Sequence, residues 1–167
     1  MQRHSIDAVF RGLHESHCRF LVVGGLAVVT HGYVRFTADV DLVVDLEPQN
    51  LHSFIAALES LGYRSRASVP FSAFADPDNR RRWVEEKGLT VFSLNSPRHP
   101  ATEIDLFVES PFNFKDAWER STVAEFAEGI PTRVVGLDDL VSMKRKAGRP
   151  KDLDDLRQLE RLRGADS

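Results

Sequence analysis

The chain is almost devoid of cysteine, and Cys18 stands alone. One thiol cannot build an internal disulfide framework, and such usage fits a reducing compartment. A strong charge bias is missing too. The formal net charge of -3 gives no general attraction to nucleic acid or acidic membranes, so only local clusters of charge matter. There is no long hydrophobic run. The longest, Phe20 to Thr30, is interrupted by Gly24 and Gly25 and is too short to span a bilayer. The first ten residues include Arg3, His4 and Asp7, which excludes a signal peptide there. No internal repeat and no low-complexity tract is visible. The six histidines show no zinc-type spacing. The expectation is a cytoplasmic protein with no membrane partner.

What is present is an ordinary core-forming composition, 42% apolar and 28% charged over 167 residues. That length suits one domain spanning residues 1–167. Ile6, Val9, Phe10 and Leu13 recur at helical spacing, which predicts a helix over about 5–16. Phe20 to Val23 reads as a strand, Leu26 to His31 as a short buried helix, and Asp39 to Asp45 as an alternating strand. Pro48 opens a helix with Leu51, Ile55, Leu58 and Leu61 on one face, and Gly62 closes it. A strand is expected over about 63–68. Residues 70–88 have no clear period, with Asp76-Pro77 as a turn signal. Strands follow at Leu89 to Leu94 and Glu103 to Val108, then a helix at Phe114 to Arg120. Thr122 to Ala127 and Thr132 to Val135 read as a hairpin. Two helices, about 137–147 and 151–163, are expected to pack on the core. The fold class is α/β (α+β), a mixed sheet flanked by helices.

Side chains alternate across a strand, so Asp39 and Asp41 project from one face while Val40 and Leu42 enter the core. Two neighbouring carboxylates repel unless a divalent cation lies between them, and hard oxygen donors suit Mg²⁺. Glu103 and Asp105 alternate with Ile104 and Leu106 in the same way. If the two strands pair, Asp105 completes a three-carboxylate cluster. By itself an Asp-x-Asp strand is equally the wet face of a sheet. Gly24-Gly25 lies between a strand and a helix, where a chain without Cβ atoms bends sharply and approaches a ligand. Its amides and the following helix end suit phosphate, although a bare Gly-Gly also serves as a plain turn. It is neither a Walker A loop nor a dinucleotide fingerprint. Thirteen residues, Leu26 to Ala38, separate it from Asp39.

Together, Gly24-Gly25, Thr37-Ala38-Asp39-Val40-Asp41-Leu42 and Asp105 resemble the signature of the polymerase β-like nucleotidyltransferase superfamily. More narrowly, Gly-Gly-Leu-Ala, His31-Gly32 and the Arg35-x-Thr-x-Asp-Val-Asp-Leu segment resemble the bacterial AbiEii/MenT-like toxin-associated nucleotidyltransferases. The resemblance implies transfer of a nucleotide monophosphate from an NTP to an acceptor hydroxyl, with release of pyrophosphate. It implies two Mg²⁺ ions with NTP bound, held by Asp39 and Asp41, with Asp105 as a further acid of the metal site. Asp105 is the third acid, which helps activate the acceptor. Gly24, Gly25 and Thr37 fall at nucleotide-binding positions. Gly25 departs from the serine of many members. The implied acceptors are an RNA end such as tRNA, a protein hydroxyl or a small molecule, and an antitoxin protein is an implied partner. The alternative is a non-catalytic module that keeps the fold and binds nucleotide, nucleic acid or protein.

Five positive charges occur from Leu140 to Lys151 with no acid among them. Lys144 lies one turn beyond Leu140, within reach of a nucleotide phosphate. A basic helix end in solvent also suits the helix dipole. In the same family resemblance, Lys144 contacts the triphosphate, while Arg149 and Asp152 support the site. Leu153, Leu156, Leu159 and Leu162 read as the apolar stripe of the last helix. Arg35 is suited to neutralise phosphate or to pair with an acid. Arg80, Arg81, Arg82 and Trp83 read as a solvated helix face, or as a nucleic-acid contact. His14 and His17 are assigned to the surface, His31 to a helix end, and Cys18 is read as inert.

Overall fold

Ile6, Val9, Phe10 and Leu13 all become buried because their spacing puts them on one side of α1 (Arg3–Glu15). The computed structural model describes residues 1–165. After α1 comes β1 (Phe20–Val23), buried along its whole length. The chain passes directly into α2 (Gly24–Thr30), so the helix starts two residues earlier than the apolar pattern suggested. β2 (Asp39–Val44) alternates at its first half and is buried throughout its second. In α3 (Pro48–Ser60), Pro48 occupies the first turn. The Glu47 side chain caps it by accepting from the amides of Gln49 and Asn50.

Two sequence expectations need correction here. The strand expected over 63–68 shrinks to β3 (Arg64–Ser65). Tyr63 instead turns inward and donates its hydroxyl to the carbonyl of Thr102 at 2.8 Å. The segment without a clear period contains a 3-10 helix (Phe71–Ala75) and then α4 (Pro77–Lys87). Asp76-Pro77 is a helix start, not a turn. Asp76 accepts from the amide of Asp78, Pro77 follows it, and Gly88 ends the helix in the left-handed region. The apolar period was hidden because Phe71, Phe74 and Trp83, from two elements, converge on a single ring, Phe92. Arg80 is buried as well and donates to the carbonyl of Phe74 at 2.6 Å. Buried Trp83 and Arg80 are therefore part of the packing. Only Arg81 and Arg82 of that cluster keep an exposed position.

The remaining elements are β4 (Val91–Asn95), β5 (Glu103–Phe107), α5 (Phe114–Arg120), β6 (Thr122–Ala127), β7 (Ile130–Val134), α6 (Leu137–Ala147) and α7 (Pro150–Ala165). The seven strands form one mixed sheet in the order β3-β4-β5-β2-β1-β7-β6. β2 is central, antiparallel to β1 and parallel to β5. Val40, Leu42, Ile104 and Leu106 supply one face of these strands and are inaccessible to solvent. α6 packs against α7 and against α2. In α7 the leucine stripe is only partly core. Leu159 is fully buried, whereas Leu153 is 46% exposed. Asp152 and Asp155 take the inward positions of that turn, and a rotation of about 100° per residue carries Leu153 away from them. Among the described residues no helix is long and apolar enough to cross a membrane.

Candidate active site

From Val34 to Asp41 the exposure alternates, with Arg35, Thr37, Asp39 and Asp41 less exposed than Val34, Phe36 and Ala38. Period-two alternation therefore begins before β2 and gives these four side chains a common side. Register does the rest. Asp39 lies opposite Glu103 and Asp41 opposite Asp105 on the parallel strand β5. On the other flank of β2, Asp41 is paired with Val23, the residue before Gly24. Two strand pairings thus bring the glycines and the third acid to the Asp39–Asp41 pair, β1 with β2 and β2 with β5.

The first glycine is required by space as well as by backbone angle. Gly24 has φ +62°, and a Cβ there would lie 2.1 Å from Oδ2 of Asp41. Gly25 meets Thr37 in the same way, with the hydroxyl 2.2 Å from the place of a Cβ. Each glycine therefore makes room for one side chain of the facing segment. Gly24→Ala combines a left-handed backbone with a displaced carboxylate. It is expected to destabilise the protein by about 1–3 kcal/mol in urea unfolding. The idea fails if the variant is as stable as wild type.

Burial pushes the Asp41 carboxyl up to about 6, and repulsion from Asp105 and Asp39 adds to it, partly offset by Lys144 and Lys151. Asp105 and Asp39 are thus close enough to disfavour the charge of Asp41, which is the electrostatic condition a cation relieves. Glu103 is a fourth acid on this face, neutralised by Arg66 at 3.1 Å. Among the described residues no three His, Cys, Asp or Glu side chains are grouped so as to hold a metal ion by themselves. The three acids are therefore not gathered as a preformed metal cage; a Mg²⁺ ion shared with substrate phosphates needs only one or two carboxylates, with phosphate and water completing the octahedron. Asp39 and Asp41, hard donors two residues apart on one face, fit such a partial site.

Lys144 sits deeper than the sequence implied, only 6% exposed. Its ammonium bridges Asp152 at 3.2 Å and Asp155 at 2.9 Å. Arg149 donates to Asp152 at 2.6 Å, and Arg35 grips both oxygens of Asp155 at 2.7 and 2.8 Å. Burial raises the Asp152 carboxyl, but hydrogen bonds from Arg149 and Lys144 outweigh it and hold it below the usual carboxylate range. Three cations thus meet two anions, leaving one net positive charge beside Asp41. Arg35 proves to be an acid partner. Sequence reasoning gave no role of its own to Asp155, nor to Ser93, whose hydroxyl donates to Oδ1 of Asp105 at 2.6 Å. A signal for Asp155 was present, since it follows Asp152 by three positions on a helix. Ser93 had no such signal, because its contact depends on strand pairing.

Other candidates fall outside this cluster. His31 ends α2 and makes a 2.7 Å hydrogen bond with the carbonyl of Val135, a structural tie. Burial pushes the Cys18 thiol up to about 11, Arg19 opposing it, which keeps it unreactive at neutral pH.

Two solved structures share this fold. One is a crystal structure of ANT(2'')-Ia in complex with adenylyl-2''-tobramycin, at TM-score 0.56 and 16% identity, covering 98% of this chain and 95% of that one. The other is a solution structure of the antibiotic-resistance factor ANT(2'')-Ia, at TM-score 0.58 and 16% identity, covering 98% and 90%. No curated protein matches the chain. The family described as nucleotidyltransferase of unknown function (DUF6036) matches residues 4–164, and the chain belongs to that family.

Proposed function

We propose that the chain transfers a nucleotide monophosphate from an NTP to an acceptor hydroxyl. The observation that carries this reading is the parallel register of β2 and β5, which sets Asp105 beside Asp41, with Gly24 in contact distance of the same carboxylate. In the proposed reaction a bond forms between the acceptor oxygen and the α-phosphorus. The bond from that phosphorus to the bridging oxygen of the β-phosphate breaks, and pyrophosphate leaves. Asp105 takes the acceptor proton. Asp39 and Asp41, with Asp105 as a further ligand, would hold Mg²⁺, which when bound supplies charge stabilisation to the phosphates. Gly24, Gly25 and Thr37 would lie against the triphosphate. The positive side of the site, Lys144 with Arg149 and Asp152, would face its negative charge.

The neighbours suggest the first reagents. ANT(2'')-Ia is bound to an adenylylated aminoglycoside, so ATP and tobramycin belong in the panel. The likeness to toxin-associated enzymes adds tRNA. The test supplies each labelled NTP with Mg²⁺ and this panel, beside the Asp39→Ala/Asp41→Ala variant. Label transfer and pyrophosphate release are expected from wild type and not from the variant. Equal background from both across the panel would sink the proposal and favour a binding module.

A further inference from the structure

Ser93 is a neutral side chain tied directly to a carboxylate of the three-acid cluster. It lies on β4, opposite Asp105 in the antiparallel β4–β5 register. Its hydroxyl donates to Oδ1 of Asp105 at 2.6 Å. Along β4 the neighbours Phe92 and Leu94 are buried on the other face, so strand alternation fixes the direction of Ser93. The hydrogen bond spans two strands whose pairing sets the two residues opposite each other. Asp105 projects from the same face as Glu103, whose charge is taken by Arg66. Among the described residues Asp105 has no ion-pair partner of this kind, and its carboxylate accepts from the Ser93 hydroxyl.

We infer that Ser93 is a positioning residue for Asp105. By holding Oδ1 it fixes the carboxylate rotamer and directs Oδ2 away from β4, toward the Asp41 side where metal and acceptor meet. A free carboxylate would rotate about its terminal torsion, which has broad wells. A ligand supported by a second hydrogen bond binds metal more tightly, and removal of such support costs about 10–100-fold. The inference rests on the function proposed above, with Asp105 as its third acid.

The test compares Ser93→Thr with Ser93→Val in the full chain. The two side chains share shape and strand preference and differ by the hydroxyl. Mn²⁺ alone is the probe, followed by loss of its free EPR signal, with Asp105→Asn as reference and thermal melts to confirm folding. Ser93→Thr should bind Mn²⁺ within about threefold of wild type, and Ser93→Val roughly tenfold more weakly. Asp105→Asn should be weakened at least as much. Equal affinity for the Thr and Val variants overturns the inference. So does a weakened Val variant beside an unaffected Asp105→Asn, because Ser93 would then act by another route. Failure of wild type to take up Mn²⁺ removes the proposed function and this inference with it. That outcome is distinct from the first two, in which wild type binds.

Discussion

Asparagine at position 41 will abolish nucleotidyl transfer and, without metal at neutral pH, make the fold more stable. The activity arm follows from the proposed function, in which Asp41 would be one of the carboxylates that hold Mg²⁺. Metal stabilisation of transition-state charge is several kcal/mol, so a fall of about three orders of magnitude is expected at 1.36 kcal/mol per tenfold. The stability arm follows from burial and from the repulsion by Asp105 and Asp39, which raise Asp41 from 3.8 to about 6. A raised carboxyl binds its proton more tightly in the native state than in the unfolded one. Its contribution to stability is therefore fully present below about pH 4 and lost as pH rises through about 6. Two units correspond to about 3 kcal/mol as an upper bound. Urea unfolding at pH 4.5 and 7 should show wild type gaining stability at the lower pH from this group, with Asp41→Asn lacking that gain. Mg²⁺ or Mn²⁺ at pH 7 should stabilise wild type and leave the variant unchanged. An asparagine variant no more stable than wild type at pH 7 would mean that the acids do not repel in the folded chain.

The second large effect is expected at Asp155, outside the reacting centre. Asp155→Ala should cost about 3–5 kcal/mol in chemical denaturation, the range for removing one partner of a buried ion pair. Its side chain is 2% exposed and holds both Arg35 and Lys144. Without it, Lys144 keeps Asp152 only and Arg35 loses its anchor on α7. An exposed pair behaves differently. Arg81–Asp78 has both side chains more than half exposed, and its removal should cost under about 1 kcal/mol. If the two variants lose similar stability, the buried network is not what ties the segment before β2 to the last helix.

The acids, the glycine turn and the basic helix end were all legible in the residues, because each rests on local rules. Period two placed Asp39, Asp41, Glu103 and Asp105 on one face of their strands. Glycine's freedom marked the bend after β1. Legibility failed where side chains from separate elements meet. Phe71, Phe74 and Trp83 show no common period because the shared partner, Phe92, lies on another strand. Leu153 matched a stripe that two buried aspartates had already taken.

The sequence alone therefore determined which face each acid occupies, since strand geometry allows no other alternation. It did not determine that β5 lies parallel beside β2, that Ser93 lies opposite Asp105, or that Lys144 spends its charge on Asp152 and Asp155. Those depend on register and on long-range burial. A buried charge must find a partner wherever the fold brings one, and only the tertiary structure decides which partner is near.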